Sequence, residues 1–115
     1  MINPKTNEEE KEIMEKMKRV INLQFRGCRQ GKHTSRRTYK NIILAYAKYI
    51  VSKRGKSKMV MELDDIKAFL YELSTRNRSK SYISCTLSAI RYYVKRTHGK
   101  DSRLIHEIEH IKLNN

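Results

Sequence analysis

Apolar residues recur at spacings of three and four in four segments of the chain, a pattern typical of amphipathic α-helices. The first predicted helix spans residues 7–25, the second residues 35–52, the third begins near Leu63, and the fourth spans residues 80–97. Residues 104–113 carry a further apolar series that fits either a short helix or an extended exit segment. No segment alternates as a strand would. The sequence therefore predicts an all-α fold, a bundle of four to five helices.

Each predicted helix has one apolar side, and those of the second, third and fourth helices should form the core. The first helix contributes a side made of Ile13, Met14, Met17, Val20, Ile21 and Phe25. Thr86 and Tyr93 fall at the margin of the apolar side of the fourth helix. The predicted core members of the other helices are Tyr39, Ile42, Ile43, Tyr46, Ile50, Ile66, Phe69, Leu70, Leu73, Ile83, Leu87, Ile90 and Val94.

Breaks between the helices come from a few local signals. Gly27 and Gly31 interrupt the pattern after the first helix. Asp64 is the expected N-cap of the third helix, because a carboxylate there can accept bonds from free backbone N–H groups. Gly99 is the expected stop of the fourth.

The opposite sides of the second and fourth helices are basic and polar. On the second helix this side holds Arg37, Lys40, Asn41, Lys48 and Ser52, and on the fourth it holds Lys80, Ser84, Ser88, Arg91 and Lys95. Lys and Arg reach phosphates, whereas Asn and Ser can donate to phosphate or read base edges. The alternative is that these sides are simply solvated.

Charge is sorted strongly along the chain. Residues 21–60 hold eleven Lys and Arg and no acid, and residues 76–100 hold seven more, again without an acid. The formal net charge is +14. A polyanion is the natural partner for folded elements with this charge, and nucleic acid is preferred over an anionic membrane surface, because the basic helices lack a broad apolar face.

Other chemistry is poorly represented. The two cysteines, Cys28 and Cys85, lack a CxxC spacing and are expected to be free thiols in a reducing cytoplasm. His106 and His110 are four residues apart, but no third ligand accompanies them at a convincing spacing, so no metal site is predicted. No cofactor motif and no catalytic arrangement is found, and no membrane contact is expected, since the longest apolar run is far shorter than the roughly 20 residues a span needs.

The second, third and fourth predicted helices resemble three helices of the tyrosine recombinases, the phage integrase family, and they follow one another in the same order as in that family. The third predicted helix is similar to that family's T-x-x-D-I-x-x-F-L-x-x-L pattern through Asp65, Ile66, Phe69, Leu70 and Leu73. The second helix resembles the family through Thr38, Leu44, Tyr46 and Tyr49, and the fourth through Ser79, Ile83, Leu87, Ser88, Ala89 and Arg91. Tyr82 departs from the Thr that is usual in the family, and is interpreted as a packing residue. The resemblance covers residues 35–100.

In that family the matching region is the N-terminal core-binding domain, a SAM-like helical bundle. The resemblance implies that the second and fourth helices lie along the major groove of double-stranded DNA. It also implies partners in a synaptic complex, namely other recombinase protomers, which the first helix would reach. The chain on its own is expected to be a monomer and to lie in the cytoplasm with the nucleoid.

The resemblance implies no catalysis by this chain. The family's two Arg, Lys, His and nucleophilic Tyr belong to a separate catalytic domain. His33 and Arg36 spell an H-x-x-R box, but it lies on the wrong side of the core-binding motifs, so Arg36 is interpreted as a phosphate contact. The chain is expected to be either a fragment of a recombinase or a natural protein that consists of the binding domain.

The predicted organisation is a helix and linker at 1–33, the DNA-binding domain at 34–100 and an exit segment at 101–115. Two alternatives stay open: a protein-assembly adaptor that uses the apolar side of the first helix, and a stand-alone helical DNA-binding regulator. The residues predicted to contact DNA are Arg36, Arg37, Thr38, Lys40, Asn41, Lys48, Arg76, Lys80, Ser81, Ser84, Arg91 and Lys95.

Overall fold

Five α-helices make up most of the described part of the chain. The computed structural model describes residues 7–26 and 33–111, and it places side chains for residues 8–26 and 37–111. The helices are α1 (Asn7–Phe25), α2 (His33–Ser52), α3 (Leu63–Thr75), α4 (Lys80–His98) and α5 (Arg103–Glu109). Within the two described ranges there is no strand. The predicted all-α class is confirmed.

The chain divides into two compact units, Met1–Val60 and Met61–Asn115. In the first unit α1 packs against α2. Met17 and Ile21 of α1 are buried, and Ile43, Tyr46 and Ile50 of α2 are fully buried. Met14 and Val51 line one groove, which places the first half of α1 beside the last turn of α2. The two helices therefore run antiparallel.

Only part of the apolar side of α1 is buried. Val20 is 44% exposed and Leu23, which the pattern left out, is 58% exposed. In its own unit α1 packs against the single helix α2, and one neighbour covers only a strip of a helix surface. Met17 and Ile21 fill that strip. Val20, a member of the predicted apolar side, lies at the edge of that strip and is exposed.

In the second unit α3, α4 and α5 pack on one another. Ile66 and Phe69 of α3, Leu87 and Ile90 of α4 and Ile105 of α5 are among the buried residues. The segment left open as helix or extended chain is thus helical over Arg103–Glu109. Ser102 caps α5 by accepting a hydrogen bond of 3.2 Å from the Ile105 N–H.

Two residues placed at the core margin lie in the core itself. Thr86 is 0% exposed and Tyr93 is 2% exposed, whereas the predicted core members Tyr39 and Ile83 are only half-buried. The Thr86 hydroxyl donates to the Tyr82 carbonyl one turn earlier, at 2.9 Å. That bond replaces the hydroxyl's bond to water and so offsets the cost of burying the threonine.

The ends of α3 and α4 are fixed by local chemistry. Glu62, not Asp64, is the N-cap of α3, and its side chain makes no capping bond. Helix α3 begins at Leu63, so Asp64 lies inside its first turn. There the negative charge of Asp64 interacts favourably with the positive end of the helix dipole. The prediction of Asp64 as the cap is wrong. Gly99 caps the C-terminus of α4 with a φ of 93°, as predicted.

The turn from α3 to α4 is a Schellman motif. The Arg78 N–H donates to the Leu73 carbonyl at 3.2 Å, and the Asn77 N–H donates to the Ser74 carbonyl at 3.1 Å. Asn77 takes a φ of 62°, a left-handed conformation that asparagine tolerates better than most residues. The turn leads directly to Ser79, whose hydroxyl accepts a 3.1 Å bond from the Tyr82 N–H and starts α4.

Candidate nucleic-acid interface

One side of α4 carries a basic and polar stripe, which we call the α4 stripe. At 3.6 residues per turn its members fall within an arc of about 80°. Lys80, Ser84 and Lys95 are exposed, and Ser88 and Arg91 are half-buried. Ile90 and Tyr93, which are both buried, lie on the other side of the helix. The predicted separation of the two sides of α4 is confirmed.

The composition of the α4 stripe suits a close approach to a polyanion. Three cations lie at its two ends, and two serines occupy the middle. Serine is short, so a partner could approach the helix backbone there and still meet a hydroxyl donor. Helix α4 contains no Asp or Glu over Lys80–His98, so no acid on the helix opposes a phosphate.

Two arginines of the second unit stack on tyrosines four residues away. The Arg78 guanidinium carbon lies 4.9 Å from the centroid of the Tyr82 ring, and the Arg96 carbon lies 5.7 Å from that of Tyr92. Such contacts are worth about 0.5–1 kcal/mol at exposed sites and hold the guanidinium near the helix. Neither arginine was among the predicted contacts, although the spacing of four residues between Arg and Tyr was a usable signal.

The exposed side of α2 holds a second stripe, the α2 stripe, formed by Arg37, Asn41, Ala45, Lys48 and Ser52. All five residues are exposed. Thr38, a further predicted contact, is also exposed. At 100° per residue it lies about 60° around the helix from the middle of this stripe. As in α4, a small residue lies between the charged ones. That the two stripes form one continuous face stays a prediction.

Lys40 does not belong to the α2 stripe. At 100° per residue it falls between Ala47 and Val51, which are both buried, and Lys40 itself is half-buried. Val51 lines the groove beside Met14 of α1, so this is the side of α2 that α1 approaches. The grouping of Lys40 with the exposed polar side of α2 is therefore wrong, because it ignored where α1 packs.

Acids of α1 lie near one end of the α2 stripe. Lys48 and Ser52 line a groove together with Glu10 and Glu15, and with Lys11 and Lys18 of α1. The Lys18 amine lies 3.9 Å from the Glu15 carboxylate. The formal charge that α1 adds to this groove is therefore zero. The sequence pattern of α2 alone gave no sign of these acids.

The remaining predicted contacts differ in their setting. Ser81 is exposed in the first turn of α4. Arg76 is exposed but is paired with Glu72, with 2.8 Å between guanidinium nitrogen and carboxylate oxygen. A DNA phosphate would have to compete with that carboxylate. The side chain of Arg36 lies outside the residues whose side chains are described.

The histidine pair of the last helix lies in a groove between α3 and α5. His106 and His110 line it with Leu63, Lys67, Arg103, Glu107 and Ile111. The His110 Nδ1 atom is 2.8 Å from the His106 carbonyl oxygen, and Arg103 pairs with Glu107 at 3.6 Å. Among the described side chains, no group of three or more His, Cys, Asp or Glu is arranged to hold a metal ion.

Over residues 7–26 and 33–111, every helix is too short or too polar to cross a bilayer. Comparison of the chain with protein-family models, with curated proteins and with solved structures gives no match. The resemblance to the tyrosine recombinases rests on the motifs quoted for it.

Proposed function

We propose that this chain binds double-stranded DNA as the core-binding domain of a site-specific tyrosine recombinase, without catalysing strand cleavage itself. The observation that carries the proposal is the α4 stripe, which places Lys80, Arg91 and Lys95 around two serines on an acid-free helix side. Phosphate contacts from the cations would supply affinity, and the serines would reach base edges. Recombinase membership rests on the three motifs.

The α2 stripe would supply further contacts. Arg37 and Asn41 lie at its N-terminal end, away from the groove that holds the α1 acids. Arg37 would hold a phosphate. Asn41 has both a donor and an acceptor, the pair that adenine recognition requires. Lys48 shares its groove with two acids and two lysines of α1, so α1 leaves the formal charge of the groove unchanged.

The adaptor alternative loses its main support. It required the apolar side of α1 to be exposed, but Met17 and Ile21 are buried, and α1 packs against α2 of its own chain. Val20 and Leu23 are exposed, yet two side chains form a small patch. We therefore place DNA binding first.

A salt titration on duplex DNA tests the proposal. Binding that depends on phosphate contacts weakens as salt rises, with a log–log slope of about −0.9 per contact. Four or five contacts give a slope of about −4. Weak binding with no salt dependence would refute the proposal and leave the adaptor alternative.

A further inference from the structure

The segment that follows α2 concentrates positive charge. Four of the six residues from 53 to 58 are Lys53, Arg54, Lys56 and Lys58, and none is an acid. Lys53, Arg54 and Lys58 are exposed, and Lys56 is half-buried. We call residues 53–58 the basic loop. It was not among the predicted contacts and does not belong to either helix stripe.

The basic loop has a defined backbone conformation. The Lys53 N–H donates to the Tyr49 carbonyl at 2.8 Å, and the Lys56 N–H donates to the Ile50 carbonyl at 2.9 Å. Gly55 makes the reversal with a φ of 69°, a conformation that glycine takes without steric cost. Beyond the loop, the Tyr46 hydroxyl donates to the Val60 carbonyl at 3.2 Å. The loop is thus held to α2 at Lys53 and Lys56, and the chain is held again at Val60, two residues beyond it.

A structural role explains only part of this charge. One or two cations after a helix C-terminus interact favourably with its dipole, but the effect fades within the last turn. Lys58 lies beyond that range. Four like charges within six residues also repel one another, and this repulsion is relieved when a polyanion binds.

We propose that the basic loop is a phosphate-binding element that contacts the backbone of duplex DNA, chiefly through Lys53 and Lys58. The proposal rests on the proposed function, and it extends the contact surface of the first unit beyond the α2 stripe. Because the loop is already fixed to α2, little conformational entropy would be lost on binding. Lysine amines are flexible point charges, so the contacts would add affinity without sequence preference.

DNA fits the basic loop better than an anionic lipid surface does. Segments that lie on membranes combine cations with apolar side chains that insert between headgroups. No large apolar side chain of residues 53–60 is among the exposed ones. A membrane partner would thus have only the charges to bind.

The test compares three double variants of the full chain on a short random-sequence duplex at 50–200 mM salt. Lys53→Ala with Lys58→Ala removes two loop cations, and Lys80→Ala with Lys95→Ala removes two from the α4 stripe. Lys16→Ala with Lys67→Ala is the matched control, since both side chains are exposed and lie outside the proposed interface. Circular dichroism melting verifies that each variant is folded.

We expect the loop variant to have a log–log salt slope that is shallower than that of the wild type by about 1.8. The ratio of its affinities at 50 and 200 mM salt should therefore be about 12-fold smaller than the same ratio for the wild type. The control slope should stay at the wild-type value. The ratio of affinities for two different duplexes should also stay unchanged in the loop variant, as phosphate contacts require.

Three results would overturn the inference. If the α4 variant lowers the slope and the loop variant behaves as the control, the loop makes no DNA contact while the proposed function stands. If neither the α4 variant nor the loop variant lowers the slope, the proposed function fails as well. If the loop variant keeps its DNA slope but loses binding to phosphatidylserine vesicles, the loop binds a lipid surface instead.

Discussion

The Tyr46 hydroxyl donates a hydrogen bond of 3.2 Å to the Val60 carbonyl, across 14 residues of sequence. Tyr46 is fully buried in the middle of α2, and Val60 follows the basic loop. This one bond therefore connects the core of the first unit to the chain just beyond the basic loop. It also explains why a tyrosine occupies a core position where a phenylalanine would fill the same space.

Replacing Tyr46 by Phe should lower the free energy of unfolding by about 1–2 kcal/mol, because the Val60 carbonyl loses its partner in a partly buried site. Urea denaturation measures this change. Tyr71→Phe is the matched control, since Tyr71 is 72% exposed, and it should change stability by less than about 0.5 kcal/mol. Equal effects of the two variants would argue against the bond.

Helix α1 should contribute to stability through a narrow strip of its surface. Met17 is 2% exposed, so Met17→Ala should cost about 2–5 kcal/mol through lost burial and a cavity. Leu23→Ala, at a 58% exposed position on the same helix, should cost less than about 0.5 kcal/mol. Chemical denaturation of both variants provides the measurement. A Met17→Ala protein as stable as the wild type would mean that α1 is only loosely attached to α2.

Two serines of the second unit should have separable roles. Ser79 caps α4, so Ser79→Ala should lower stability by about 1 kcal/mol. Ser84 is exposed in the α4 stripe, and Ser84→Ala should leave stability unchanged or slightly raised, since alanine favours a helix. Instead, it should alter which duplex sequence is preferred in competition binding. A change in stability with no change in preference at Ser84 would contradict its role.

Burial raises the pKa of Tyr93 to about 12 from the ordinary value of 10.0. Below pH 10 the phenol is protonated in both the folded and the unfolded chain, so it adds no pH dependence to the free energy of unfolding. Between pH 10 and 12 the unfolded chain ionises first, the folded state binds more protons, and stability falls as pH rises by up to about 1.4 kcal/mol per unit. Tyr93→Phe should remove this part of the decline, as measured by denaturation at pH 10 and 12. An identical decline in both proteins would refute the assignment.

Much of the fold could be predicted from the sequence, because helical periodicity reports which side of each helix is apolar. The fourth helix shows this best: its stripe, its start after Ser79 and its stop at Gly99 follow from residue types alone. Thr86 was placed at the core margin because polar residues count as surface, although its hydroxyl is satisfied within the helix. The left-handed conformation of Asn77 was not predicted, since the turn that contains it has no glycine.

The interface was harder to predict, because it depends on which helix packs where. Lys40 was grouped with the polar side of α2 by residue type, but it lies on the side of α2 that α1 approaches. Lys48 shares a groove with acids and lysines of α1, and Arg76 is paired with Glu72 of α3. The settings of Lys40 and Lys48 depend on α1, which the pattern of α2 does not contain, whereas the pairing of Arg76 with Glu72 could have been predicted from their spacing of four residues.

The most direct test of the account is the salt dependence of duplex DNA binding by the Lys80→Ala, Lys95→Ala double variant. Both lysines are exposed at opposite ends of the α4 stripe. The account predicts weaker binding to every sequence and a log–log slope reduced by about 1.8 relative to the wild type. Wild-type affinity and an unchanged slope would contradict it, because the α4 stripe would then not be the surface that meets DNA.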